Sequence, residues 1–152
     1  MGEQSVNDKI DASLAELLQK KGTLEMLVEI GEKRSQRHTD LRKELLLSSS
    51  TIQQRLKDGK NHGIWEQALE ERGNITAKVY QLTPLGETIH EIAVENDLYD
   101  LYRNKRRIIR LTDNRERLTI IESSPSGAEW LSEISMEEHE IEHVQQFIDQ
   151  FN

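Results

Sequence analysis

A mainly α-helical fold carrying one small β-hairpin is predicted for this chain from three observations. Residues 38 to 87 read, in order, as a short helix, a serine-rich turn, a second short helix and two strands about a Gly-Asn turn. Apolar residues recur at helical spacing on both sides of that stretch. Only 35% of the residues are hydrophobic and 32% are charged, so the core is thin and the surface large. Such a balance suits an oligomeric helical protein better than a deep-pocketed enzyme.

The 152 residues fit one domain with an appendage. We expect a domain over 1–96 and an acidic extension over 97–152 that serves dimerisation or regulation. The absence of cysteine excludes disulfides, zinc-cysteine sites and thiol chemistry. No apolar run approaches the roughly 18 residues of a membrane span. The first residues lack the basic start and apolar core of a signal peptide, so a cytoplasmic protein that makes no membrane contact is expected. The net charge is −8, but it is unevenly spread. Residues 21–86 carry +2 and residues 123–152 carry −7, so the acid lies in the tail and the central stretch is mildly basic. Local charge governs phosphate contact, because salt screens beyond about 10 Å.

Taken in order, Val6, Ile10, Leu14, Leu17 and Leu18 predict an amphipathic helix over 5–20. Leu24, Leu27, Val28 and Ile30 mark a second helix ending near Gly31, and Glu32 to Arg37 read as a loop. Thr39 is the expected cap of the third helix, with Leu41, Leu45 and Leu46 facing the core. Ser49 or Ser50 should cap the fourth, Thr51 to about Lys60, in which Ile52 and Leu56 form the inward pair. The helical step then sets Ser50, Gln54, Lys57 and Asn61 on the opposite face, flanked by Thr51 and Gln53. Such a set suits base edges and phosphates, with Gln matching adenine and Lys matching guanine or phosphate. It equally suits any solvated helix. Gly63 ends this helix. Ile64 to Leu69 and Ile75 to Leu82 are the two strands, joined through Arg72-Gly73-Asn74. Arg72 and Lys78 stand where a hairpin could touch DNA, and each also reads as an ordinary surface charge. Trp65 reads as a core anchor. Thr83 caps a helix with Pro84 at its first position, where the missing N–H costs nothing.

Helix, turn, helix and hairpin in this order is the grammar of a winged helix-turn-helix, whose second helix enters the DNA major groove. The residues that support it go further. Lys21-Gly22-Thr23-Leu24-Glu25-Met26-Leu27, His38-Thr39-Asp40-Leu41, Ser50-Thr51-Ile52-Gln53-Gln54-Arg55-Leu56, Gly63-Ile64 and Tyr80-Gln81-Leu82-Thr83-Pro84-Leu85-Gly86 together resemble HxlR-like regulators of transcription. MarR- and PadR-like proteins share the architecture. The resemblance covers residues 21 to about 93. It implies a homodimer that reads double-stranded DNA through Ser49, Ser50, Thr51, Gln53, Gln54, Arg55 and Lys57, with Arg72 and Lys78 as wing contacts. The chain departs from that family's pattern in several places. Its N-terminal cysteine is absent, Gly22 replaces an aromatic residue, Gly59 replaces an apolar one, and Trp65 stands where a basic residue is common. Gly59 should cost its helix about 1 kcal/mol of propensity and loosen that end.

Beyond the hairpin, Leu85, Ile89, Ile92 and Ala93 continue a helix to about Glu95, and Leu98 to Tyr102 begin another. Arg103 to Arg107 is a basic run, read as a solvated face or a partner for the acidic tail before a phosphate patch. Over 106–122 the β-branched residues pair cleanly as strands, Leu111 with Leu118 and Ile109 with Ile120, so a second hairpin is expected. Helices over 128–134 and 135–151 close the chain. His139-Glu140-Ile141-Glu142-His143 spells a zinc-protease motif, but both histidines lie away from the apolar stripe and no third ligand follows. No metal, cofactor or catalytic residue is therefore expected, and no effector is legible. The two functions left are a sequence-specific transcriptional regulator and a winged helix used for protein–protein contact.

Overall fold

The computed structural model describes residues 12–124. Helix α1 occupies residues 12–19, and α2 (Thr23–Lys33), α3 (His38–Glu44) and α4 (Ser49–Asn61) follow. Strands β1 (Trp65–Arg72) and β2 (Ile75–Leu82) then form an antiparallel hairpin, before α5 (Pro84–Glu95) and α6 (Leu98–Ser123). The architecture is a winged helix-turn-helix, mainly helical with a two-stranded wing. Residues up to Arg103 form one compact unit and those from Asn104 another, so the division falls inside α6. The expected starts and stops over 1–11 and 125–152, including both C-terminal helices and the histidine pair, lie outside the described residues.

Apolar periodicity accounts for the first unit. Leu14 and Leu17 of α1 meet Met26, Leu27 and Ile30 of α2, Leu41 of α3, and Ile52 and Leu56 of α4 in one core. Each such side chain contributes about 1.5–3 kcal/mol when fully buried. Helix α2 runs past Gly31 to Lys33, because the glycine is a packing site and not a stop. A Cβ there would fall 2.6 Å from the His90 ring, so Gly31 lets α5 approach α2. His90 Nε2 also lies 3.1 Å from Glu32 Oε1 across the same contact.

Several ends differ from expectation for local reasons. The third helix begins after Arg37, whose N–H donates to Asp40 Oδ2 at 2.9 Å; Thr39 lies inside the helix. That helix stops at Glu44, so Leu46 turns outward, 43% exposed, and Leu47 packs on the core in its place. Gly22 at φ +90° leaves the room Leu47 occupies. The cap of α4 is Ser48, the first of the three serines, whose Oγ accepts from Thr51 N at 3.2 Å. The wing turn is Gly73-Asn74, with Gly73 at φ +66° as its first central residue. Strand β1 extends beyond Leu69 to Arg72.

Trp65 is 1% exposed, and its indole N–H donates to the Leu56 carbonyl at 2.8 Å. It fills the space that a side chain at Gly59 would need, since a Cβ there would sit 2.1 Å from the ring. Gly59 therefore tightens the α4–β1 contact, contrary to the loosening expected from propensity alone. Thr83 caps α5 by accepting from Gly86 N at 3.2 Å, and its own hydroxyl donates to the Gly63 carbonyl. A Cβ on Gly86 would lie 1.9 Å from the Ile64 carbonyl oxygen, which explains the glycine in the Leu-Thr-Pro-Leu-Gly closure.

The second hairpin expected over 106–122 is absent: α6 is one continuous helix of 26 residues. Asp113, read as turn chemistry, pairs instead with Arg117 one turn on at 3.2 Å. The Thr112 and Thr119 hydroxyls donate to the carbonyls of Ile108 and Arg115. Strand-like pairing lost because the apolar residues need no common face: Ile108, Ile109 and Ile120 are all substantially exposed.

Candidate nucleic-acid interface

Helix α4 presents the candidate interface. Its 13 residues span about 20 Å at 1.5 Å per residue. Ile52, Leu56 and Gly59 are buried and fix one face. Ser50, Gln53, Gln54, Lys57, Lys60 and Asn61 are exposed on the rest. Ser49 and Thr51 are half-buried at the helix start. Their surroundings are ordered: Ser48 Oγ donates to Thr51 Oγ1 at 2.8 Å, and His38 Nε2 lies 3.3 Å from the Ser49 carbonyl. No acidic residue occupies the first turn of α4, so the positive end of the helix dipole is not neutralised there.

Of the nine residues picked from sequence, five stay together on the exposed side of α4 or its start: Ser50, Thr51, Gln53, Gln54 and Lys57. Gln54 is braced, its amide donating to Asp58 Oδ1 at 3.0 Å. Ser49 faces His38. Arg55 turns back toward the domain. Its Nε donates to the Lys21 carbonyl at 3.0 Å and its Nη1 pairs with Asp58 at 3.4 Å, tying α4 to the turn before α2.

The two wing cations differ from each other. Lys78 is exposed, with Nζ 6.0 Å from the Tyr80 ring centre. Arg72 is ion-paired twice, Nη1 to Asp40 at 3.4 Å and Nε to Glu70 at 3.5 Å. Asp40 also holds Arg37 at 3.2 Å. Burial pushes the Asp40 carboxyl up, but hydrogen bonds from the Arg37 side chain and backbone and the charges of Arg37 and Arg72 outweigh it. The net effect lies below the ordinary carboxylate range.

Three further exposed cations, one on α4 and two on α3, were not among the residues expected from sequence. Lys60 follows Lys57 by three residues and so shares its side of α4, and its Nζ is 3.4 Å from Gln67 Oε1. Arg42 and Lys43 are exposed in the last turn of α3. The signal for Lys60 was its spacing; for the α3 pair it was their place outside the Leu41–Leu45 stripe. Among the described residues no group of three or more His, Cys, Asp or Glu is arranged to hold a metal. Nor is any described helix long and apolar enough to cross a membrane.

No family model matches the chain, and no curated protein does. Among solved structures it is similar to an ArsR-like transcriptional regulator from Rhodococcus sp. RHA1, at TM-score 0.46 and 20% identity over 67% of this chain and 92% of that one. Two structures of the adhesin competence repressor AdcR from Streptococcus pyogenes, one C-terminally His tagged, are similar at TM-scores 0.44 and 0.43. Their identities are 17% and 15%, each over 99% of this chain and 95% of the other. At such scores these likenesses carry no inference about this chain, and the fold rests on its own geometry.

Proposed function

We propose that this protein is a transcriptional regulator that binds double-stranded DNA as a homodimer, with α4 in the major groove. One observation carries the reading: the exposed side of α4 bears hydrogen-bonding and basic residues, while Ile52, Leu56 and Gly59 lock its back to the core. Gln53 and Gln54 suit base edges, and Ser50 suits base edge or phosphate. Lys57, Lys60, Arg42 and Lys43 suit phosphates on either side, as the first helix of such a motif crosses the backbone. Arg55 holds the helix in place. The resemblance to HxlR-like regulators supports the same reading. The exposed Leu101 and Ile92, in the unit ending at Arg103, supply apolar surface for a dimer contact.

The test is fluorescence anisotropy with fragments from the gene's own upstream region, beside unrelated DNA, at two salt concentrations. Tight binding to one fragment, weakened by salt, is the expected result. Lys57→Ala should lower the salt slope by about 0.9 for the lost phosphate contact. No binding at low salt refutes the reading. A specific observation favours a second one in that case. The wing carries Glu66, Glu70 and Glu71 against Arg72 and Lys78, a poor surface for phosphates and a serviceable one for a basic protein partner.

A further inference from the structure

We propose that Arg72 serves the wing as a positioning residue: Asp40 of α3 clamps it, and the pair sets the angle of the hairpin against the reading helix. The inference rests on the DNA-binding reading for its consequence, but not for its geometry.

The carboxylate of Asp40 is the hub. Its Oδ2 accepts from Arg37 N at 2.9 Å, Arg37 Nε at 3.3 Å and Arg72 Nη1 at 3.4 Å, and its Oδ1 accepts from Arg37 Nη2 at 3.2 Å. Arg72 Nε then faces Glu70 Oε1 at 3.5 Å, and Glu70 Oε2 accepts from Ser35 Oγ at 2.8 Å. A chain of polar contacts thus runs from Ser35 through β1 to the first turn of α3. The other strand is tied separately. Gln36 N donates to the Tyr80 carbonyl at 3.1 Å and Tyr80 N to the Gln36 carbonyl at 2.8 Å, an antiparallel bridge on β2. The segment before α3 therefore holds both strands, one by backbone and one by side chains.

Charge points the same way. Arg37 and Arg72 are balanced by Asp40 and Glu70, so the cluster offers a phosphate no surplus cation. An arginine reaching for DNA would have to leave two carboxylates whose charges would then face the backbone. Holding Arg72 costs the interface nothing, because Lys57 and Lys60 remain exposed on α4. Arg72 is also about one-third exposed, so the clamp is a modest device, suited to restraining an angle and not to anchoring the fold.

Asp40→Asn removes the charge and leaves an oxygen to accept the Arg37 N–H, so the helix start survives. Arg72→Gln removes the other partner. Binding of each variant and of the double variant to one mixed-sequence duplex is measured by anisotropy across a salt series. Both single variants should weaken binding by about two- to fivefold with the salt slope unchanged, and the double variant should be no weaker than either. A phosphate contact gives the opposite pattern, which overturns the proposal: Arg72→Gln lowers the slope by about 0.9, and Asp40→Asn tightens binding by freeing the cation. Amide hydrogen exchange without DNA provides the second arm. Exchange at Gln36 and Tyr80 should quicken in both variants and stay unchanged in Lys78→Gln. Unchanged exchange in Asp40→Asn and Arg72→Gln overturns the clamp whatever the DNA result. If the wild-type protein binds no duplex, the functional reading fails and the exchange arm alone decides the clamp.

Discussion

Replacing Gly59 by alanine sets two effects against each other in the last turn of α4. Alanine favours a helix interior over glycine by about 1 kcal/mol, so propensity alone forecasts a more stable protein. Packing forecasts the reverse. The new Cβ would sit 2.1 Å from Trp65 Cε2, 2.2 Å from Cζ2 and 2.7 Å from Nε1. Carbon atoms in contact prefer about 3.5–4.0 Å, so the indole or the helix must move by more than about 1 Å. The indole has little freedom, being 1% exposed and bonded to the Leu56 carbonyl. Overpacking of this kind costs about 1–3 kcal/mol, and losing the indole hydrogen bond adds about 1 kcal/mol. We therefore expect Gly59→Ala to destabilise the protein by about 2 kcal/mol, with Tm falling by roughly 4–8 °C for a chain of this size. Urea unfolding followed by circular dichroism at 222 nm, roughly the helix minimum, checks it, with an unchanged m-value confirming that stability alone has moved. In a Trp65→Leu background the same substitution should become neutral or stabilising. Equal or greater stability of Gly59→Ala in the intact protein would refute the steric argument.

Other substitutions follow from the same geometry. Gly86→Ala forces a Cβ to 1.9 Å from the Ile64 backbone oxygen, which has no rotamer to escape into; a loss of about 3 kcal/mol or more, or failure to fold, should appear in the same unfolding assay. Ser48→Ala removes the hydroxyl that caps α4 and should cost about 1 kcal/mol, more than Ser50→Ala, as compared by thermal melts. The Thr23 hydroxyl is buried and has no hydrogen-bond partner among the described residues, so Thr23→Val should raise stability by about 1 kcal/mol in urea. Asp40 has its carboxyl lowered on folding, so its contribution is present above the unfolded value near 4 and is lost as pH falls through the lower folded value. The stability gap between wild type and Asp40→Asn should therefore be constant near neutrality and vanish in acid, as read by unfolding at stepped pH.

The core of the fold was legible because its signals are local. Ile52 with Leu56, Thr83 before Pro84, and Gly73-Asn74 between two alternating runs each state their structure within a few residues. What escaped is instructive in kind. Three consecutive serines compete for one cap, and backbone geometry decided for Ser48. Gly59 and Trp65 looked like two unrelated departures from a family pattern, yet they are one feature, a missing side chain and the ring that fills its place. Residues 106–122 paired well on paper as strands, but the continuous helix satisfies its backbone without any such pairing. Among the site candidates, Arg55 and Arg72 stand on the expected helix and hairpin, while their partners were invisible in the sequence. Lys21 and Asp40 lie 34 and 32 positions away in the chain, beyond the reach of any periodicity.

The packing of α5 against α2 has a consequence for how the chain acquires its structure. Most elements touch their neighbours in sequence: α3 meets α4, α4 meets β1, and β1 meets β2. Contacts of this short range form quickly, since little loop entropy is lost in making them. The contacts of α2 with β2 and with α5 have longer range, and the second joins Glu32 to His90 across 58 residues. Until α5 has left the ribosome, the face of α2 that receives it stays open to water and to other nascent chains. The helix after Thr83 completes the packing around α2, so this compact unit closes only after its last-made elements are available.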